Sequence, residues 1–167
     1  MIAFRDAVPG DRELLRRWDR QPHVAAASGE DGGFDWEAEL PRRVDWRELL
    51  IAEKDGRPIG FVQIIDPERE ESHYWGECEP DLRAIDIWIG EEADLGKGYG
   101  TQIMQSAIAR CFADPNVRAV VIDPLVGNTR AHRFYERLGF RKIGRRIFAG
   151  VDDCFVYRLD RPSEFEP

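Results

Sequence analysis

Hydrophobic and polar positions alternate in a way that predicts strands at both ends of the chain. The run IAFRDA at residues 2–7 alternates with the period of a β-strand. Two β-rich runs flank Asp55-Gly56, a residue pair that favours the tight turn of a hairpin. The runs RKIGRRIFAG and DCFVYRLD, within residues 141–160, predict a second hairpin. Apolar residues at helical spacing predict a helix over residues 9–20.

The middle of the chain combines continuous apolar runs with helical patterns. LRAIDIWIG, residues 82–90, is nearly all apolar, which is typical of a central, buried strand. The glycine-rich stretch DLGKGYGT, residues 94–101, leads into a helical pattern. VRAVVIDP, residues 117–124, predicts another buried strand, before a helix that Asn128 caps and Gly139 ends. Intermixed strands and helices predict an α/β or α+β fold with a mixed sheet.

Three segments between these elements have other patterns. Residues 24–33 are small, polar and glycine-rich, which predicts a loop. Residues 35–44 predict a short helix that Pro41 breaks. PEREESHYWGECEP, residues 67–80, predicts a long acidic loop with an aromatic pair. No repeat or linker divides the sequence, so residues 1–167 are expected to form a single domain.

Composition narrows the function classes. A net charge of -8 argues against nucleic-acid partners, because neutralising phosphates requires clustered Lys and Arg. The same charge suits a cationic small substrate, although solubility alone also explains it. No apolar run is long enough for a membrane span, and the N-terminus lacks a signal-peptide pattern. Cys78, Cys111 and Cys154 form no CxxC pair, which favours reduced thiols in a cytoplasm. The three histidines have no metal-ligand spacing, so no metal is expected.

The glycine-rich stretch has candidate chemistry of its own. Gly96, Gly98 and Gly100 exclude side chains from a backbone that opens a helix, and free N–H groups there form an anion site. The Walker pattern is absent, and Thr101 stands where a dinucleotide fingerprint needs its third glycine. A tight turn that merely tolerates glycine is the alternative. Three alternating glycines after a buried strand favour a phosphate loop instead.

The order of strand, LGKGYGT, helix, strand, Asn128 and RFYERLGF resembles the GCN5-related N-acetyltransferase (GNAT) family from Ile2 to about Asp160. In that family, the loop amides hold the pyrophosphate of acetyl-coenzyme A. Gly98 and Gly100 fit the two glycine places of the family pattern, while Leu95 replaces the usual Gln or Arg. The resemblance implies a mixed, mostly antiparallel sheet of six or seven strands flanked by about four helices.

A narrower resemblance concerns the acceptor. YWGECEPDLRAIDIWIG and DPNVRAVVIDPLVGNTRAHRFYERLGF are similar to segments of the aminoglycoside 6'-N-acetyltransferase branch. The implied substrate is a primary amine of a small polycation, with an aminoglycoside preferred. A siderophore or other small-metabolite amine is the alternative, since the hydroxamate-siderophore acyltransferases have similar architecture. A non-catalytic acyl-coenzyme A sensor is a third reading. The Trp pair that follows the first helix in the aminoglycoside branch is replaced here by HVAAASGEDG.

Two residues are candidates for proton transfer. Asp86 interrupts the apolar run AIDIWI, and a lone carboxylate is costly to bury unless it is paired or used. The resemblance implies that it acts as the base, directly or through a water. A salt-bridged or half-exposed strand residue is the alternative. The resemblance implies that Tyr135 protonates the departing thiolate, with core packing as the alternative. Both residues argue against the sensor.

Binding residues complete the expected site. The coenzyme contacts expected from the glycine loop and the resemblance are Ile87, Trp88, Ile89, Leu95, Gly96, Lys97, Gly98, Tyr99, Gly100, Thr101, Asn128 and Tyr135. Ring faces and carboxylates suit a sugar that carries ammonium groups. The expected acceptor contacts are Tyr74, Trp75, Glu77, Glu79, Asp86, Asp123 and Asp152. Of these, Asp123 and Asp152 follow from the resemblance, with turn-forming roles as alternatives. The expected assembly is a monomer or homodimer.

Overall fold

A computed structural model describes residues 1–30 and 33–165, in which seven strands form one sheet. The predicted loop at residues 31 and 32, and the last two residues of the predicted domain, lie outside the described residues. The strands are β1 (Ile2–Asp6), β2 (Arg47–Lys54), β3 (Arg57–Ile65), β4 (Leu82–Ile89), β5 (Ala119–Ile122), β6 (Arg141–Phe148) and β7 (Asp152–Asp160). The helices are α1 (Arg12–Asp19), α2 (Pro22–Ala27), α3 (Trp36–Glu39), α4 (Tyr99–Phe112) and α5 (Thr129–Arg137), with 3-10 turns at Pro9–Asp11, Glu92–Asp94 and Ser163–Phe165.

The sheet is mixed and mostly antiparallel, as the sequence predicts. Its strand order is β1-β2-β3-β4-β5-β7-β6, and β4 lies at the centre. Every neighbouring pair is antiparallel except β4 and β5, which run parallel. Both predicted hairpins are present, as β2–β3 and β6–β7. The long acidic segment between β3 and β4 forms turns without a helix or strand, as predicted.

The pairing between β4 and β5 stops early. It covers only Leu82–Ala84 of β4, while β4 continues to Ile89 along its other neighbour, β3. Two residues after the end of β5 comes Pro124, which has no N–H to donate and is disfavoured inside a sheet. Among the described residues, no strand pairs with the β5-facing edge of residues 85–89. The sheet therefore opens into a split at the carboxyl ends of β4 and β5.

Alternation along β4 assigns its side chains to two faces. Ile85, Ile87 and Ile89 pack in a core built with α4 and α5. Trp88 points to the opposite face and packs in a second core with residues of α1 and α3. Because successive strand residues alternate, Asp86 lies on the same face as Trp88. Along its open edge, β4 thus presents isoleucine side chains to one face of the sheet, and Asp86 and Trp88 to the other.

Five α-helices are described where the resemblance implied about four. The additional short helix is α2, which occupies part of the segment predicted to be a loop. Pro22 begins it with a preset backbone angle, and three alanines follow, the residue type with the highest helix propensity. Val24 anchors the helix because only 2% of it is exposed. No helix within residues 1–30 and 33–165 is long and apolar enough to cross a membrane.

Gly90, immediately after β4, should be intolerant of any side chain. A Cβ there would lie 2.0 Å from the Trp18 ring, which is fully buried. We expect Gly90→Ala to lower the free energy of unfolding by about 3 kcal/mol, the upper range for overpacking. Gly144→Ala is the matched control, because its Cβ would meet no atom within 4 Å. Denaturant unfolding measures both variants, and equal stabilities would refute the packing argument.

Candidate active site

Asp86 lies at the start of the unpaired part of β4. Its side chain is half-buried, and its Oδ2 accepts a hydrogen bond of 2.7 Å from Nε2 of Gln63. Gln63 is the register partner of Asp86 on β3, so the sheet itself delivers the amide to the carboxylate. We did not predict Gln63 from the sequence. The available signal was a single polar residue within the apolar run PIGFVQII.

Tyr135 projects from α5, among aromatic rings. Its ring centroid lies 5.2 Å from that of Phe134 and 5.8 Å from that of Phe140. Burial raises the pKa of the Tyr135 hydroxyl, and the negative charges of Asp86 and Asp123 raise it further. Like any tyrosine, Tyr135 is protonated at neutral pH, and the raised pKa extends that range. Its ring packs in the same core as Ile87 and Ile89 of the open β4 edge.

Tyr74 and Asp123 form a hydrogen-bonded pair beside these residues. The Tyr74 hydroxyl donates to Oδ2 of Asp123 at 2.5 Å. The ring of Tyr74 stacks on Phe148, with centroids 4.8 Å apart. Burial raises the pKa of Tyr74 most. The charge of Asp123, the hydrogen bond between Tyr74 and Asp123, and the charge of Asp86 raise this pKa further. Asp123 and Asp86 each stand two positions beyond the last paired residues of β5 and β4. We call Tyr74, Asp86, Asp123 and Tyr135, which surround the split, the split cluster.

The other residues of the acidic loop have different surroundings. Trp75 is only 7% exposed and packs in a third core cluster with Phe148. Glu79 forms ion pairs with Arg158 and Arg118, and the hydrogen bond from Arg158 lowers the pKa of Glu79. Glu77 is exposed and lines a surface cavity of about 590 Å³. Trp75 adjoins the split cluster through the Tyr74 ring, with centroids 6.1 Å apart, but as a core residue. Glu77 faces the surface cavity and Glu79 the two arginines.

Asp152 is the remaining predicted acceptor residue. It begins β7, is 6% exposed, and pairs in register with Phe148 of β6. Its Oδ1 accepts a hydrogen bond of 2.7 Å from the backbone N–H of Glu30. The carboxylate is therefore in contact with the segment that follows α2.

The glycine loop exposes its backbone as predicted, although only two of its three glycines require it. Gly96 and Gly98 have φ of 73° and 78°, and a Cβ at either would meet no atom within 4 Å. Gly98 is the residue that caps the N-terminus of α4. Gly100 lies inside the first turn of α4, and its Cβ would make an ordinary contact of 3.7 Å with Phe134. Leu95, Tyr99 and Thr101 are half-buried around it.

An ion pair between buried Asp94 and exposed Arg57 restrains the start of this loop. Asp94 is 3% exposed, and Nη1 and Nη2 of Arg57 donate to its two oxygens, each at 2.9 Å. Such a two-pronged pair fixes orientation as well as distance. The hydrogen bonds from Arg57 lower the pKa of Asp94. Lys97 is exposed, with its Nζ 4.0 Å from Asp94.

Asn128 caps α5 as predicted. Its side-chain oxygen accepts a hydrogen bond of 3.2 Å from the backbone N–H of Ala131. One turn further, Nε2 of His132 lies 2.9 Å from the carbonyl oxygen of Leu125 and donates to it. These bonds fix the start of α5, and with it the position of Tyr135. In the part of the chain that the structure describes, no three His, Cys, Asp or Glu side chains are grouped to hold a metal ion.

Residues 7–148 match the family model described as an acetyltransferase (GNAT) domain. The chain belongs to the GNAT family. Both the family and the fold inferred from the sequence are thereby confirmed. This GNAT chain is 36% identical over 117 residues to an aminoglycoside N(6')-acetyltransferase type 1 of Klebsiella pneumoniae. That match covers 70% of the chain and 57% of the relative, so the chain spans little more than half of the relative's length.

Two further comparisons cover nearly the whole GNAT chain. It is 27% identical over 170 residues to lysine N-acyltransferase MbtK of Mycolicibacterium paratuberculosis, which covers 97% of the chain and 75% of that relative. The structure of AAC(6')-Ib in complex with ribostamycin and coenzyme A superposes with a TM-score of 0.85. The identity there is 26%, and the match covers 96% of this chain and 93% of that one.

The environment of Tyr135 predicts a phenol that ionises late. Its charged form is disfavoured, so its pKa lies above the ordinary value of 10.0. The unfolded tyrosine loses its proton first, so stability falls as pH rises above the ordinary value. An absorbance titration of the wild type minus Tyr135→Phe should show one phenol that ionises above pH 10.0. If the phenol that the variant lacks ionised at an ordinary pH in the wild type, the buried placement of Tyr135 would be wrong.

Proposed function

We propose that this chain transfers an acetyl group from acetyl-coenzyme A to a primary amine of a small cationic acceptor. Residues 1–167 act as one catalytic domain in this proposal, and an aminoglycoside is the first candidate acceptor. The observation that carries the proposal is the split itself: β4 and β5 stop pairing at Ala84 and Val121, just before Asp86 and Asp123, and Tyr135 packs in the same core as Ile87 and Ile89 of the open edge. The relatives and the superposed complex support the same reaction.

The glycine loop and the open edge of β4 fit the coenzyme. Gly96 and Gly98 leave backbone N–H groups uncovered at the start of a fourteen-residue helix, where the helix dipole favours an anion. These amides, from Leu95 to Thr101, would hold the pyrophosphate, with Lys97 exposed beside them. The unpaired edge of residues 87–89 would pair with the pantetheine arm. Asn128 would contact the coenzyme while it caps α5.

Each proton has a position in this arrangement. The amine attacks the carbonyl carbon of the acetyl-coenzyme A thioester, and the coenzyme sulfur leaves as a thiolate. Asp86 accepts the proton that the amine loses, directly or through a water, and Gln63 holds the carboxylate in one orientation. Backbone N–H groups on the open edge of β4 stabilise the negative charge on the carbonyl oxygen. Tyr135 donates its hydroxyl proton to the departing sulfur.

Charge selects the acceptor. Asp86 and Asp123 each stand two positions beyond the last paired residues of β4 and β5, and carboxylates at one site raise the local concentration of cations. Tyr74 offers part of a ring face next to them. Contact of Trp75, Glu77, Glu79 and Asp152 with the acceptor stays a prediction. The free cysteines suit a reducing cytoplasm, where the chain acts as a monomer or homodimer.

A lysine-type amine is the second candidate acceptor. The match to the lysine N-acyltransferase covers nearly the whole chain and three quarters of that relative, a larger share than for the Klebsiella enzyme. Hydroxylated lysine derivatives carry one primary amine and fewer cations than an aminoglycoside. The two candidates therefore differ in the number of ammonium groups that the split cluster must accommodate.

A side chain at Gly98 should remove coenzyme binding. Gly98→Val adds a branched side chain in the left-handed region and in the space that the pyrophosphate needs. We expect affinity for coenzyme A to fall by at least about tenfold, the effect of losing one charge-assisted hydrogen bond. Calorimetry measures it. Gly56→Val in the β2–β3 turn is the control, since Gly56 has φ of 83° and an equally open Cβ. Wild-type affinity in a folded Gly98→Val protein would exclude the glycine loop as the pyrophosphate site.

Removing either proton-transfer group should slow the reaction. We expect Asp86→Asn and Tyr135→Phe each to lower turnover by about 10²-fold with coenzyme affinity preserved, as for loss of one general acid or base. Thiol release across a panel of aminoglycosides and hydroxylated lysine derivatives measures this and identifies the acceptor. Asp45→Asn, an exposed carboxylate paired with Arg69, is the control. Wild-type turnover in Asp86→Asn would place the base elsewhere.

A further inference from the structure

One segment connects the two sides of the split. We call Pro22–Glu30, which comprises α2 and the three residues after it, the strap. Near its start, Nε2 of His23 donates to the carbonyl oxygen of Ile89 at the end of β4, over 2.7 Å. At its other end, the N–H of Glu30 donates to Asp152 at the start of β7, also over 2.7 Å. The strap is therefore attached at both ends.

Both attachment points lie at the same edge of the sheet. β4 and β5 run parallel, so their carboxyl ends point in one direction. β7 is antiparallel to β5, which brings the first residues of β7 to that same edge. Ile89 and Asp152 consequently stand on opposite sides of the split. The strap therefore bridges the split, from the end of the strand that carries Asp86 to the start of β7.

The strap fits closely on the Asp152 carboxylate. Gly29 has φ of 74°, and a Cβ there would lie 2.7 Å from Cγ and from both oxygens of Asp152. No real Cβ approaches so closely, so only glycine permits this contact. The N–H of the next residue, Glu30, then points at Oδ1. The backbone of two strap residues covers the carboxylate, which is 6% exposed.

Asp152 is nevertheless a neighbour of the split cluster. Its register partner Phe148 stacks on Tyr74, and Tyr74 donates to Asp123. A carboxylate at this distance would add to the attraction for a polycation if an ammonium group could reach it. In this chain the backbone N–H of Glu30 occupies the position on Asp152 that an ammonium group would take. Asp152 is therefore not among the carboxylates that an acceptor can reach.

We propose that Asp152 is a positioning residue that latches the strap, and that the latched strap restricts the acceptor to compact amines with few additional cationic groups. This inference rests on the proposed acetyl transfer and names the acceptor class for it. The relatives place an aminoglycoside first among the candidate acceptors. The latched strap reverses that order and favours hydroxylated lysine-type amines. The specificity thus comes from Gly29 and Asp152 together.

The latch can be tested without any acceptor. Asp152→Asn retains a side-chain oxygen for the Glu30 N–H, whereas Asp152→Ala removes it. We expect the Glu30 amide to exchange its hydrogen about tenfold faster in Asp152→Ala than in the wild type, as for a lost hydrogen bond. In Asp152→Asn, exchange should be slower than in Asp152→Ala. Equal exchange in the wild type and Asp152→Ala would overturn the latch. This measurement stands even if the chain acetylates none of the amines tested, in which case only the proposed function fails.

Substrate preference tests the second half of the inference. The ratio of kcat/KM for kanamycin to that for a hydroxylated lysine derivative is compared among variants by thiol release. Gly29→Ala pushes the strap off the carboxylate and should raise this ratio by about tenfold, the value of one charged hydrogen bond. Adding Asp152→Asn to Gly29→Ala should cancel the gain. Gly150→Ala is the control, with φ of 73° and no atom within 4 Å of its Cβ.

Two results would overturn the specificity role. An unchanged ratio in Gly29→Ala would show that the strap does not restrict the acceptor. A tenfold lower ratio in Asp152→Asn alone, with the strap still latched, would show that Asp152 binds an ammonium group directly. A raised ratio in Gly29→Ala that depends on Asp152 supports the inference.

Discussion

The early end of β5 is the constraint on which the site depends. β5 has four residues, and Pro124 follows two positions later with no N–H for a ladder. β4 can continue beyond its parallel neighbour because β3 pairs with it up to Ile89. A longer β5 would cover that edge of β4 with its own hydrogen bonds. The same termination leaves Asp123 at the rim, where Tyr74 meets it.

Strand alternation then gives the proposed coenzyme and the proposed amine different faces of the sheet. Along five residues of β4, apolar side chains face the helices that carry the glycine loop and Tyr135, whereas Asp86 faces the other way. A coenzyme and an amine that approach from opposite faces can meet only where the sheet is open. The split is thus both the passage between the faces and the source of unpaired backbone groups. No insertion or additional domain is needed to make this geometry.

The sequence predicted best what depends on neighbouring residues. The hairpin turn at Asp55-Gly56, the Asn128 cap and the apolar run of β4 are local signals, and each has its element in the structure. Helix α2 was missed because its composition resembles a loop and its stability comes from the buried Val24. Gln63 became visible only through the register of two strands. The arginine partners of Glu79 are distant in sequence, so its neutralised charge could not be read from the acidic loop alone.

The Arg57–Asp94 ion pair joins the glycine loop to the first residue of β3, one position beyond the hairpin turn. The ion pair therefore restrains the start of the loop once the hairpin has formed, which reduces the conformational entropy that binding of an anion would cost. Fraying of the hairpin would loosen the loop while the rest of the sheet stayed intact. Ligand affinity would then decline at denaturant concentrations too low to unfold the domain.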